Sequence, residues 1–354
     1  MLISIIGVIV VFSIMIISHE FGHFFMAKKM GVKVEIFSFG FGPKIASIKR
    51  GGTEYVLSAI PFGGYVKMAG DELAGKLEGK EWEFYSKPIY KRFNIIAAGP
   101  IVNYVLGFIF FCAVFMLGAP VATSRIGSTL SGYPAEKAGI IEGDRILEID
   151  GKGVKYWDEV LAAIHDRKEG NINLLIERNS EKRKITVEGK SEDAKDILGR
   201  PLRRTMIGIA PSDEVAFVKY GFFKSIEMGA GTVWKITVIT YQAVWGMIIG
   251  AVSVKAMAGP IGIFAMTGKA ASMGLIYLLH ISAFISVSLA IFNLLPFPIL
   301  DGGHILFLAI EKIKGKPVSR KAQELAQNIA FTLLIAFVLF VTWNDILNLP
   351  KLFK

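Results

Sequence analysis

His19-Glu20-Phe21-Gly22-His23 is the sharpest chemical signal in the chain. On a helix, positions i and i+4 share a face. Two imidazoles so spaced can grip one zinc ion, and the glutamate between them can act as base toward water at the metal. A catalytic zinc keeps three protein ligands and one open position, so a third ligand must come from elsewhere. Asp301, in the run Asn293-Leu294-Leu295-Pro296-Phe297-Pro298-Ile299-Leu300-Asp301-Gly302-Gly303, is the best candidate. His304 is a rival, better read as a local polar contact. His280, inside an apolar run, and His165, in a polar region, read as structural. Cys112 is the single cysteine, so an intrachain disulfide and a cysteine metal cluster are both excluded.

The elements that must bring these residues together are apolar. Of the 354 residues 53% are hydrophobic and 20% charged, and the mean hydropathy is +0.50. This mixture points to membrane spans carrying a polar insert. Spans are expected over 1–27, 93–118, 274–298 and 327–347. The N-terminus has no basic n-region and no A-x-A-like site, so the first helix is expected to remain in place. Ile236 to Val254 is a fifth candidate. Loop charge decides against it: Lys28 to Arg92 carries twelve Lys and Arg, and Lys312, Lys314, Lys316, Arg320 and Lys321 follow the third span. Four spans put both basic segments in the cytoplasm, whereas five put them on opposite faces. Four spans also make the first and third run parallel, as a site joining His19, His23 and Asp301 requires. Segment 214–272 then reads as interfacial or re-entrant, with Phe217, Phe222, Phe223 and Trp234 set among lysines. The net charge of +10 lies in loops beside apolar runs; with no basic helix and no aromatic stacking platform, nucleic acid is not an expected partner.

Two regions lie outside the spans. In 28–92, Thr53 to Ala59 alternates as a strand does, between runs rich in aromatics and glycine, which predicts a β-hairpin or small sheet that enters the membrane where protein shields its backbone. Residues 122–211 read as a separate polar domain. It has a short helix at Tyr133–Ala138, a turn and strand at Gly143–Gly151, a helix at Trp157–His165, and two strands joined at Asn179-Ser180. The string from Pro134 to Gly151 resembles a PDZ domain in its permuted bacterial form. Segment 299–326 is the basic cytoplasmic stretch. The fold class expected is a polytopic α-helical membrane protein with four transmembrane helices, a membrane-associated β-hairpin or sheet, and one inserted PDZ-like α+β domain.

The His-Glu-x-x-His helix, the Leu-Asp-Gly after a proline-broken span and the PDZ-like insert together resemble the site-2 protease family, nearest to its bacterial sigma-E-regulating branch. Phe93 to Asn103, Ala258 to Ile261 and Ile285 to Lys316 carry the resemblance further, and it covers nearly the whole chain. It implies regulated intramembrane proteolysis in a bacterial cell membrane by a zinc metalloprotease. His19, His23 and Asp301 would bind Zn2+, and Glu20 would serve the catalytic water. Gly40, Phe41 and Gly42 would help hold the substrate as an added strand, and Asn293, Pro296 and Pro298 would line its path. Asn103 or Asn293 could donate to the tetrahedral oxyanion. Expected partners are the lipid bilayer, membrane-spanning protein substrates such as anti-sigma factors or signal-peptide remnants, and peptide C-termini at Met206-Ile207-Gly208-Ile209, unless that domain only filters by size. The active site would face the cytoplasm and the PDZ-like domain the opposite side. One departure is that the sigma-E type carries two tandem PDZ domains, while this chain has room for one. A metal transporter using the same ligands, without an inverted repeat to support it, and an inactive peptide-binding scaffold are the competing readings.

Overall fold

The computed structural model describes residues 2–71, 78–165, 167, 170–195 and 200–352. The chain opens with α1 (Leu2–Lys29), β1 (Val34–Arg50), β2 (Thr53–Met68) and α2 (Ile89–Leu117). Then come β3 (Ala119–Ala122), β4 (Ile126–Thr129), α3 (Pro134–Lys137), β5 (Arg145–Ile149), β6 (Lys152–Gly153) and α4 (Trp157–His165). Five more strands follow: β7 (Gly170–Arg178), β8 (Glu181–Lys195), β9 (Pro201–Met206), β10 (Ile209–Pro211) and β11 (Val215–Val218). The chain closes with α5 (Phe222–Ile248), α6 (Pro260–Met273), α7 (Leu275–Asn293), α8 (Asp301–Lys314) and α9 (Arg320–Leu352).

These elements form two compact units. The first comprises Met1–Ala113, Ser225–Tyr241 and Ser253–Lys354; the second comprises Val114–Lys224 and Gln242–Val252.

In the first unit, α1, α2, α7 and α9 are long and apolar enough to cross a membrane. Leu2, Ile3, Ile6, Leu333 and Leu339 on α1 and α9 are exposed, a surface that hydrocarbon solvates and water does not. Small residues let these helices approach. A Cβ on Gly22 of α1 would lie 2.5 Å from the Ala98 carbonyl oxygen of α2, and one on Gly107 of α2 would lie 2.5 Å from Val287 of α7. The Ser286 hydroxyl donates to the Asn103 carbonyl, 2.8 Å away. Helix α6 packs on α1 through Phe12 and Phe264, ring centroids 4.9 Å apart. Its first turn is capped by buried Asp345 of α9, which accepts from the Gly259 and Gly262 amides at 2.9 and 2.8 Å.

The segment 214–272 holds β11, α5 and most of α6, and α5 runs beside α2. A Cβ on Gly229 would lie 2.8 Å from Cys112, and two turns on Thr237 bonds the Tyr104 hydroxyl at 2.9 Å. Residue numbers rise along one helix as they fall along the other, so the two are antiparallel there. The third expected span ends earlier than 298. Helix α7 stops at Asn293, broken before Pro296 and Pro298, and Asp301 opens a new helix. Proline removes the donor and crowds the preceding turn, so α7 cannot continue.

Strands β1 and β2 each fold over, and the register shows four runs. Residues 44–50 pair antiparallel with 53–58, from Lys44↔Ser58 to Arg50↔Thr53. Residues 54–57 also pair with 36–39, Ile36↔Glu54 to Phe39↔Leu57, the numbers rising together as in parallel strands. Residues 34–39 pair antiparallel with 64–68, Val34↔Met68 to Phe39↔Gly64. The spatial order is therefore 44–50, 53–58, 34–39, 64–68. Run 64–68 is an edge and, among the described residues, no strand pairs with its outer side.

The second unit holds a five-stranded sheet of order β6-β5-β7-β8-β9 and two strand pairs, β10-β4 and β11-β3. Alternation along β7 turns Ile172, Leu174 and Ile176 into a core shared with Ile146, Val187 and Ile207. Helix α4 adds Trp157, Val160 and Ile164 at helical spacing. The turn at Asn179 and Ser180 has φ of 52° and 68°, the doubly left-handed turn that suits a two-residue hairpin. Asp144, buried at 1% exposure, is gripped by the Arg178 guanidinium through two bonds of 2.7 Å.

Candidate metal centre

His19 and His23 lie on one face of α1, one turn apart, with Lys28 and Lys29 closing the helix beyond them. Their Nε2 atoms are 3.2 Å apart. Asp301 Oδ2 lies 3.2 Å from His19 Nε2 and 3.5 Å from His23 Nε2. A tetrahedral zinc with bonds of about 2.05 Å holds its ligand atoms about 3.3 Å apart. The three edges match that triangle.

Protonation agrees with metal binding. His23 Nδ1 is 2.9 Å from the Ile95 carbonyl, an acceptor only, so Nδ1 is the donor and, in the neutral ring, Nε2 carries the lone pair. A ligating histidine ordinarily donates its second nitrogen in this way. Two imidazole nitrogens facing each other and a carboxylate oxygen do not satisfy one another: Asp301 Oδ2 and His19 Nδ1 are buried without a hydrogen-bond partner. Burial opposes ionisation of Asp301, but the hydrogen bonds and charge that the His19 and His23 rings offer when protonated prevail and hold its carboxyl well below the usual range. It is therefore a carboxylate, the form a cation needs. The donor set of two histidines and one carboxylate fits zinc.

Glycine brings the three elements together. A Cβ on Gly99 of α2 would lie 2.3 Å from His23 Nε2 and 2.9 Å from His19 Cε1. On α8, a Cβ at Gly302 would meet the Leu295 and Leu294 carbonyl oxygens at 2.2 and 2.3 Å, and one at Gly303 the Phe297 oxygen at 2.2 Å. The Leu-Asp-Gly-Gly sequence thus lets α8 begin hard against the turn that ends α7, with Asp301 as its first residue.

Glu20 stands outside the triangle, its carboxylate beside the Val66 backbone. Val66 and Met68 belong to the edge run of the sheet. With His19, Glu20, His23, Asn293 and Asp301 they line a cavity of 380 Å³. Asp71, Tyr85 and His304 complete its wall; burial pushes the His304 imidazole below its ordinary value, toward the neutral form.

Of the other residues singled out from sequence, Asn293 and His304 line this cavity. Asn103 is fully buried on α2, its side-chain amide without a partner. Pro296 and Pro298 lie in the turn before α8. Gly40 and Gly42, with φ of 92° and 86°, form the bend that ends run 34–39, and Phe41 between them stacks on Tyr65. His280 lies on the exposed flank of α7 against Phe111, and His165 ends α4. Sequence reasoning missed Gly99, the Ile95 carbonyl, Asp71 and Tyr85. A Gly-Pro pair within an apolar span was the available signal for the first two; nothing local marks the others.

A carboxylate poised beside a two-histidine, one-aspartate triangle, on helices of membrane-spanning length, defines a metallohydrolase built into a membrane. The chain belongs to peptidase family M50, the site-2 protease family, whose model matches residues 7–337. Similar proteins include a candidate zinc metalloprotease of Rhizobium meliloti strain 1021, 33% identical over 94% of each chain. The zinc metalloprotease RasP of Geobacillus kaustophilus is 30% identical over 97% of each. The regulator of sigma-W protease RasP of Bacillus subtilis is 27% identical over 98% of this chain and 99% of its own. The protein is a zinc-dependent protease integral to a bacterial membrane.

Proposed function

We propose that this protease cuts single-span membrane proteins within their membrane segments, with His19, His23 and Asp301 as zinc ligands and Glu20 as the catalytic base. The observation that carries the reading is the near-equilateral ligand triangle with one carboxylate left out of it, beside an unpaired strand edge. Zinc bound there supplies Lewis acidity, polarising the scissile carbonyl and acidifying water. Glu20 removes the proton of the attacking water and hands it to the leaving amine. A helical substrate must unwind first, because its carbonyls are bonded internally. The outer side of run 64–68 offers backbone groups to the unwound segment as an added strand, with the Gly40-Phe41-Gly42 bend above it. Asn293, on the cavity wall, would donate to the oxyanion; Asn103 is the alternative.

The basic segments 28–92 and 302–326 favour the cytoplasmic side for the metal centre, with four spans and α5 re-entrant beside α2. The second unit then lies outside the cytoplasm. Its five-stranded sheet, with α3 and α4 against one core, supports the PDZ-like reading, and Met206-Ile207-Gly208-Ile209 is the candidate site for peptide C-termini. A relative named as a regulator of sigma-W protease makes membrane-anchored anti-sigma factors the first substrate class to try and signal-peptide remnants the second.

The test is cleavage of a model transmembrane substrate in detergent by wild type and Glu20→Gln, with zinc measured in each. The reading requires turnover to fall by about 10²–10⁴-fold while both proteins keep one zinc. Loss of zinc in the variant would make Glu20 a ligand instead, and undiminished cleavage would remove it from the chemistry.

A further inference from the structure

We infer that Arg92 and Glu311 form a positioning pair for the metal centre, a buried clamp that fixes α8, and with it Asp301, against α2. The inference rests on the reading of His19, His23 and Asp301 as zinc ligands. Arg92 is 5% exposed. Its guanidinium meets the Glu311 carboxylate side by side, Nη1 to Oε2 at 3.0 Å and Nη2 to Oε1 at 2.5 Å. Nε donates to the Lys87 carbonyl at 2.9 Å, so the fork is held at its root as well. The Tyr85 ring, part of the cavity wall, lies between two guanidinium groups, 6.0 Å from Arg92 Cζ and 5.8 Å from Arg320 Cζ.

Both partners sit on elements that carry the metal site. Ile95, less than a turn beyond Arg92 on α2, gives its carbonyl to His23 Nδ1. Glu311 stands ten residues after Asp301 on α8, about 15 Å along the axis. Leu308 packs between them into a buried cluster with Ala27, Ile95 and Ile96. Helix α8 is thus mounted at two points: its start by the glycine contacts with the turn before it, its far end by the fork.

A buried ion pair adds little stability over an apolar pair of the same size. What it adds is direction, since two parallel bonds fix rotation as well as distance. Asp301 must be placed within a few tenths of an ångström for its oxygen to complete the triangle, and a helix free to roll on Leu308 alone would not hold it so.

The experiment uses the full-length enzyme in detergent. Zinc affinity is measured by chelator competition, the ligand field by the visible spectrum of the cobalt-substituted protein, and kcat and KM on a model transmembrane substrate. Arg92→Lys keeps the charge and loses the fork; the double variant Arg92→Met with Glu311→Met keeps the packing and loses both charges. The clamp predicts zinc affinity lowered about 10–100-fold in both, an altered cobalt spectrum, and kcat reduced with KM little changed. The double variant melts within a few degrees of wild type, which separates positioning from stability. Wild-type zinc affinity, cobalt spectrum and kcat in either variant would overturn the clamp. His23→Ala distinguishes the two ideas. If it loses zinc while Arg92→Lys does not, only the clamp falls; if it keeps zinc, the ligand assignment falls and the clamp with it.

Discussion

Replacing Gly99 with alanine adds one methyl group where the metal centre is packed directly against α2. The new Cβ would stand 2.3 Å from His23 Nε2, against an ordinary contact of 3.4 Å or more. The ring must retreat by about 1.1 Å, or α1 and α2 must part. Parting is opposed along the same seam, where Gly22 already lies against the Ala98 carbonyl. Retreat breaks the 2.9 Å bond between His23 Nδ1 and the Ile95 carbonyl. Ligand positions tolerate errors of about 0.2 Å, so the displacement is several times what zinc accepts. Loss of a ligand's supporting contact alone costs about 10–100-fold in affinity. With the ligand itself moved, zinc affinity should fall by at least about 100-fold, or roughly 2.7 kcal/mol. The assay is chelator competition on folded protein, with Gly107→Ala as control. That change is on the same helix and also clashes, 2.5 Å from Val287, but against α7 rather than the histidines. It should cost about 1–3 kcal/mol of stability by overpacking and leave the zinc affinity of the folded fraction unchanged. Wild-type zinc affinity in Gly99→Ala, or equal losses in both variants, would refute the reasoning.

Asp301→Asn removes the anionic ligand; zinc should be lost to chelators that wild type resists, and retention at wild-type affinity would exclude Asp301 from the ligand set. Asn293→Leu should reduce kcat by about 10²–10³-fold with zinc retained if its amide steadies the oxyanion. Should Asn103→Leu show that loss and Asn293→Leu not, the role passes to Asn103. Asp345→Ala deprives two amides at the start of α6 of a buried carboxylate acceptor. Bonds to a charged group contribute about 1.5–3 kcal/mol each, so the melting temperature in detergent should drop clearly; an unchanged value would mean that α6 is held without its cap.

How much of this was legible in the sequence depended on whether a signal is local. His19, Glu20 and His23 fall within five consecutive residues, and the four long apolar helices and α4 follow from runs and periods that can be read within one window. Asp301 stands out as a candidate because Leu-Asp-Gly follows two prolines that end a helix, and because parallel first and third spans bring that end to the histidines. The partner of a residue is a different matter. Nothing near Glu311 indicates that it meets Arg92, 219 positions away, and nothing in the α9 sequence shows Asp345 reaching back to Gly259. Both are side chains whose burial is tolerable only because a distant chain segment satisfies them, so their role emerges only with the packing.

The sheet formed by β1 and β2 shows the same limit in a sharper form. Alternation from Thr53 to Ala59 identified a strand, but strand order depends on which runs pair across sequence, and a bend at Gly40 to Gly42 reroutes the pairing. The consequence is functional. The glycine bend attracts attention in the sequence because its residues are unusual, whereas the edge that borders Glu20 is the ordinary-looking run Gly64-Tyr65-Val66-Lys67-Met68. An edge is defined by the strand missing beside it, and a strand's own residues do not report on that. The Val66 backbone lies beside the Glu20 carboxylate because run 64–68 lies outermost, so strand order also decides which backbone groups face Glu20.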